Sequence, residues 1–93
     1  MQQGASEAAA MLRTLGNQQR LLLLCLLVEH GELSVGALQS HVELSQSALS
    51  QHLARLREDG LVDYRREAQT LHYRIADPRA EALLSTLKRL FCP

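Results

Sequence analysis

Apolar residues recur at helical spacing along the first third of the chain and predict two helices. Ser6 is placed to cap the first helix, which would leave residues 1–5 disordered. Asn17 is placed to cap the second, RLLLLCLLVEH, which ends at Gly31 and is apolar on all sides, as in a helix buried between neighbours. The apolar face of the first helix consists of Ala8, Met11, Leu12 and Leu15.

Two short capped helices follow, joined by a tight connection at 40–43. Ser34 and Ser45 are the predicted N-caps, and each has a leucine before it and another four positions after it, the spacing of a hydrophobic staple. The later of these two helices, after Ser45, runs to Asp59 and stops at Gly60. Two capped helices joined by about four residues predict a helix-turn-helix.

After residue 60 the apolar period changes from helical spacing to strand alternation. Segments 62–66 and 71–75 alternate and predict a two-stranded hairpin with its turn at 67–69. Asp77 and Pro78 then form a cap and first turn for a last helix with a broad apolar face. We therefore expect residues 1–93 to form a single, mainly α winged helix-turn-helix domain with a two-stranded β-wing.

The first and last helices carry apolar stripes that one small domain could hardly cover. Pairing of these helices across a two-fold axis would cover them. The sequence therefore predicts a homodimer.

The second helix of the helix-turn-helix has a polar outer face. Its inner stripe is Leu49, Leu53 and Leu56, with His52 packed beside it. Glutamine can read adenine, arginine can read guanine, and serine can contact bases or phosphates, so this face predicts binding to double-stranded DNA rather than a solvated helix surface. The outer residues are Gln46, Ser47, Ser50, Gln51, Ala54 and Arg55.

Two arginines precede the predicted hairpin turn. Arg65 and Arg66 could reach phosphates or the minor groove from a wing. The alternative is a solvated pair that forms a salt bridge with Glu67.

Composition and charge add constraints. Net charge is zero, but residues 1–43 carry two cations and four acids, residues 44–93 eight cations and six acids, and nine of the ten cations are Arg. The longest apolar run, 21–28, is too short to span a bilayer, and no export signal is evident, so we expect a cytoplasmic protein without a membrane partner. Neither a phosphate-binding glycine loop nor a catalytic Cys/His arrangement is evident, so we expect no enzyme and no cofactor.

The segments LGNQQRLLLLCLL, ELSVGAL and LSQSALSQHLARLREDGLV resemble the ArsR/SmtB family of bacterial repressors. The resemblance covers residues 11–92. Because the last helix closes with Phe91-Cys92, the chain most resembles the dithiol branch that contains BigR, SqrR and HlyU. This resemblance implies a homodimer that binds an inverted repeat, with its recognition helices in successive major grooves.

Many members of that family sense metals. The motif ELCVCDL of the metal-binding third helix reads ELSVGAL here, with Ser34 and Gly36 in place of both thiolates. The last helix also contains no histidine. Since zinc needs about four donors, we expect no metal site.

The chain has two cysteines, Cys25 in the second helix and Cys92 next to the end. From the residues alone, Cys25 is a small buried apolar group and Cys92 a thiol in a fraying terminus. The resemblance implies instead that these two positions form the sensing dithiol of the sulfide- and redox-responsive branch. Oxidation or persulfide chemistry at the pair would then weaken operator binding.

Three other functions stay open. The first is an anti-silencing activator that displaces another DNA-bound protein, the second a metal-responsive repressor, and the third an interaction module that uses its outer helices. An interaction module would keep its function after Gln51→Ala or Arg55→Ala.

Overall fold

The computed structural model describes residues 2–91, which form five helices and three short strands. The order confirms the predicted helix-turn-helix followed by a wing and a last helix. The elements are α1 Gln2–Leu15, α2 Gln18–His30, β1 Leu33–Ser34, α3 Val35–His41, α4 Gln46–Glu58, β2 Val62–Glu67, β3 Thr70–Ile75 and α5 Pro78–Phe91.

The helix ends lie where the capping residues predict. Oδ1 of Asn17 accepts hydrogen bonds of 3.0 Å from the backbone N–H groups of Gln19 and Arg20, which starts α2. Gly31 ends the same helix at φ 80°, and its N–H donates to the carbonyl of Leu27 at 2.8 Å. These contacts confirm both predicted boundaries of α2.

The first helix begins earlier than predicted. α1 starts at Gln2, so Ser6 lies inside it, and the expected disorder is wrong for residues 2–5. The alanines of the segment ASEAAA are the strongest helix formers, and they allow the helix to continue toward the N-terminus without a cap at Ser6. Met1 lies outside the described residues.

The wing belongs to a three-stranded antiparallel sheet. The predicted hairpin forms from β2 and β3, and the prediction missed the third strand, β1. The strand order is β1-β3-β2, with Leu33 opposite Tyr73 and Val62 opposite Ile75. A two-residue strand is too short to show alternation, so β1 left no sequence signal. The hairpin turns without glycine because Ala68 adopts φ 55°.

The core is almost entirely leucine. Leu23, Leu24 and Leu27 of α2 are buried against the inner stripe of α4 and against Leu84 of α5. Burial of such side chains is the main source of stability in a domain this small. The sheet closes the core through Val62 and Tyr73.

No helix within residues 2–91 is long and apolar enough to cross a membrane.

Candidate nucleic-acid interface

Two serine caps fix the geometry of the helix-turn-helix. Oγ of Ser34 accepts from the N–H of Ala37, and Oγ of Ser45 accepts from the N–H of Ala48, each at 3.1 Å. The side-chain amide of Gln39 in α3 donates to the carbonyl of Leu44, just before α4. This bond holds the turn against α3 and sets the direction in which α4 leaves it.

The outer face of α4 presents short polar side chains to solvent. Leu49, Leu53 and Leu56 are buried, as predicted for the inner stripe. The side chains predicted to read DNA lie on the exposed part of the helix: Gln46, Ser47, Ser50, Gln51 and Arg55. Their donors and acceptors are therefore available to a duplex laid along α4.

A shallow groove runs beside the start of this helix. It is lined by Gln46 and Ser50 of α4, by Gly36 of α3, and by Gln69 and Thr70 of the wing hairpin. The sequence pattern connected none of Gly36, Gln69 and Thr70 with α4. Gln69 and Thr70 become neighbours of α4 only once the hairpin folds back, which no local pattern shows.

Arg55 is the charged member of the set predicted to read DNA on α4, and it is already engaged within the chain by an ion pair. Its Nε donates to Oδ2 of Asp59, the C-cap of α4, at 2.8 Å. The hydroxyl of Thr14 in α1 donates to the same carboxylate oxygen. These two hydrogen bonds hold the pKa of Asp59 below its ordinary value.

The two predicted wing arginines have different environments. Arg65 forms salt bridges with Glu32, at 2.8 Å, and with Glu67, at 2.7 Å. The salt bridge to Glu67 is the alternative that the sequence left open. Arg66, opposite Leu71 in the sheet, is exposed and makes no salt bridge within residues 2–91.

A third cation, Arg57, was not predicted to matter. It points from α4 toward β2, where its guanidinium lies 5.2 Å from the ring centre of Tyr64. The same ring packs against Tyr73 at 5.4 Å. Arg57 therefore links the recognition helix to the wing.

The possible sensing residues are only partly described. Cys25 is half-buried in α2 and packs against the leucine core. Cys92 lies outside the described residues. Within residues 2–91, no group of three His, Cys, Asp or Glu side chains is arranged to hold a metal ion, although the rings of His30 and His41 lie 5.5 Å apart.

A capped recognition helix with an exposed polar face, followed by a β-wing, defines a winged helix-turn-helix regulator. A family model described as "Bacterial regulatory protein, arsR family" matches residues 17–64. The chain belongs to this family.

Similar proteins carry the same architecture. The chain is 49% identical over 92 residues to the "Transcriptional activator HlyU" of Vibrio cholerae, covering 99% of the chain and 84% of that protein. It is 45% identical to the "Biofilm growth-associated repressor" of Agrobacterium fabrum, covering 99% and 78%. A solved structure of HlyU from Vibrio cholerae gives a TM-score of 0.96 at 48% identity, with 100% of both chains covered.

A second solved structure, the transcriptional repressor BigR from Xylella fastidiosa, gives a TM-score of 0.91 at 42% identity and covers 100% of the chain and 94% of its own. The relatives are regulators of transcription, not enzymes. The resemblance to the ArsR/SmtB family and its HlyU and BigR members is thereby confirmed. The protein is a transcriptional regulator, and it is not an enzyme.

Proposed function

We propose that the protein is a dimeric repressor that binds an inverted-repeat operator through α4 and the wing. The exposed polar face of α4 beside the wing carries this proposal, because its amides, hydroxyls and guanidinium can pair with base edges. The contacting residues are Gln46, Ser47, Ser50, Gln51, Arg55, Arg65 and Arg66.

The wing arginines contribute unequally. Arg66 is exposed and can approach a phosphate without breaking a salt bridge. Arg65 can contact a phosphate only by giving up its salt bridges with Glu32 and Glu67, so its net contribution to DNA affinity is smaller. Electrostatic attraction to the backbone would position the duplex, and α4 would supply the sequence selectivity.

The exposed surfaces of α1 and α5 support a homodimer. Residues 2–10 of α1 are all exposed within the single chain, and Leu12 is 57% exposed. At the end of α5, Leu90 and Phe91 are 68% and 77% exposed. A second copy that pairs these helices would cover the patch and place two recognition helices for an inverted repeat.

We further propose that Cys25 and Cys92 modulate DNA binding in a cytoplasmic protein. Support comes from their match to the dithiol branch and from the contact between α2 and α5. Glu29 and Lys88 approach to 3.7 Å, and each lies four residues along the chain from one of the two cysteines. Peroxide would take two electrons and two protons from the thiols, forming one disulfide and two waters.

Operator binding of wild type, Cys25→Ser and Cys92→Ser tests this modulation. Each protein is titrated with a selected duplex before and after peroxide, and separately after a persulfide donor. We expect weaker binding only in the treated wild type, with recovery on reduction. An equal response of all three proteins would exclude the dithiol.

A second candidate is an anti-silencing activator, favoured by the 49% identity to a protein described as a transcriptional activator. The two candidates differ in where the protein binds. A repressor's footprint overlaps the promoter and lowers transcription in a purified system. An anti-silencer's footprint overlaps that of another DNA-bound protein, and it raises transcription only when that protein is present.

A further inference from the structure

Thr14 is an unusual buried residue. Within residues 2–91, it and Tyr73 are the buried residues with a polar side-chain group, and Thr14 is only 2% exposed. A buried hydroxyl needs a partner, and this one donates to Oδ2 of Asp59, 45 residues away. The end of α1 is therefore tied to the end of α4 by a side-chain hydrogen bond.

The same oxygen of Asp59 also accepts from Nε of Arg55 at 2.8 Å. One carboxylate oxygen thus joins a residue of α1 to an arginine one turn earlier in α4. The two terminal nitrogens of Arg55 make no hydrogen bond within the described part of the chain, and its side chain is 45% exposed. Nε of Arg55 is held by Asp59, while the four N–H groups on its two terminal nitrogens remain available to DNA.

The position of Arg55 on the surface of α4 follows from the helix geometry. Ser47, Gln51 and Arg55 are spaced four residues apart, so they form one exposed row along α4. Asp59 continues this row at its C-terminal end. Arg55 is thus held at the end of the row nearest α1.

We propose that Thr14 and Asp59 are positioning residues that hold Arg55 ready to read one guanine, so that α1 contributes to sequence selectivity without contacting DNA. A guanine presents O6 and N7, and a bidentate contact needs two N–H groups in a fixed plane. Holding the guanidinium through Nε lowers the entropy lost when that contact forms. This inference rests on the proposed DNA-binding function.

The first part of the test locates the base pair. The probe is a fluorescent duplex that carries the highest-affinity site selected in vitro from random DNA. Single base-pair replacements of that duplex are compared between wild type and Arg55→Ala. We expect Arg55→Ala to lose discrimination at one G·C pair of each half-site.

The second part tests the positioning residues at that pair. Thr14→Val keeps the shape and removes the hydroxyl, while Thr14→Ser restores a hydroxyl. We expect Thr14→Val and Asp59→Ala to reduce discrimination between base pairs at the Arg55 position by about 10-fold, with other positions unchanged and Thr14→Ser close to wild type. A purely structural role would weaken binding to all duplexes alike.

Asp63→Ala is the matched control, since Asp63 accepts from Nε of Arg74 at 2.7 Å and its loss changes the protein's net charge equally. It should keep the discrimination of wild type. Wild-type discrimination in folded Thr14→Val and Asp59→Ala would overturn the inference, as would tighter binding by Asp59→Ala than by Asp63→Ala. Unchanged binding in both Gln51→Ala and Arg55→Ala would instead overturn the proposed function itself.

Discussion

Arg65 lies against Glu32 in a forked contact that joins the wing to the segment after α2. Its Nη2 lies 2.8 Å from Oε1 of the carboxylate, and its Nε lies 3.1 Å from both carboxylate oxygens. Glu32 immediately precedes β1, which itself pairs with β3. The base of the wing is therefore fixed by a backbone ladder and a salt bridge together, and Arg66 stays available.

We predict different salt dependences for the two wing arginines. Arg66→Ala should reduce the slope of log affinity against log salt by about 1, as expected for one lost phosphate contact. Arg65→Ala should reduce it less, because Glu32 and Glu67 already neutralise that guanidinium. Titration of a labelled duplex at several salt concentrations measures both slopes. A larger loss for Arg65→Ala would show that Arg65 is the main phosphate contact.

We predict that stability falls in acid partly through Glu32. Hydrogen bonds from Arg65 hold its pKa below the ordinary value of 4.5, so the folded protein binds its proton less readily than the unfolded chain. The contribution is present above pH 4.5 and is lost as the pH falls through the folded pKa. Urea midpoints measured from neutral pH down to about pH 3 should therefore fall less steeply for Glu32→Gln.

Arg65→Gln removes the partner of Glu32 and also that of Glu67, whose pKa Arg65 holds below its ordinary value, so it should flatten the profile more than Glu32→Gln does. The double variant should behave like Arg65→Gln, because both interactions are already lost in that single variant. A Glu32→Gln profile parallel to that of wild type would show that the salt bridge does not contribute to the acid response.

We predict that Leu84→Ala destabilises the fold by about 2–5 kcal/mol through lost burial and a cavity. Leu84 is fully buried and anchors α5 to the leucine core. Urea denaturation measures the change, and Glu81→Ala, at an exposed position one turn away, should change stability little. Equal effects of the two substitutions would mean that α5 is not packed as described.

We predict that Leu12→Glu prevents dimer formation, because it places a charge in the exposed apolar patch of α1. Sedimentation velocity over a range of concentrations measures the association. Arg13→Glu puts the same side chain at the next, also exposed, position and should remain dimeric. Dimers of unchanged stability in Leu12→Glu would place the interface elsewhere.

The elements with local signals were predictable from the sequence. Asn17, Ser34 and Ser45 cap their helices through contacts within three residues, so spacing alone located α2, α3 and α4. The inner leucine stripe of α4 likewise identified its buried side and, by elimination, the candidate DNA-reading face. Such features depend only on helix geometry.

The features that sequence could not supply depend on long-range pairing. β1 exists only because Leu33 meets Tyr73, forty residues later. The salt bridge from Arg65 to Glu32 spans 33 residues, and the hydrogen bond from Thr14 to Asp59 spans 45. A pattern read within a short window contains no information about which polar side chains these contacts bring together.

The most direct test of the central claim is the affinity of Gln51→Ala for the selected duplex. Gln51 is exposed in the middle of α4, and its amide can pair with adenine. Gln18→Ala, at an exposed position at the start of α2, is the matched control. We predict that Gln51→Ala loses on the order of 1–3 kcal/mol of specific binding while Gln18→Ala binds as wild type. Equal affinities of all three proteins would contradict the assignment of α4 as the DNA-reading helix.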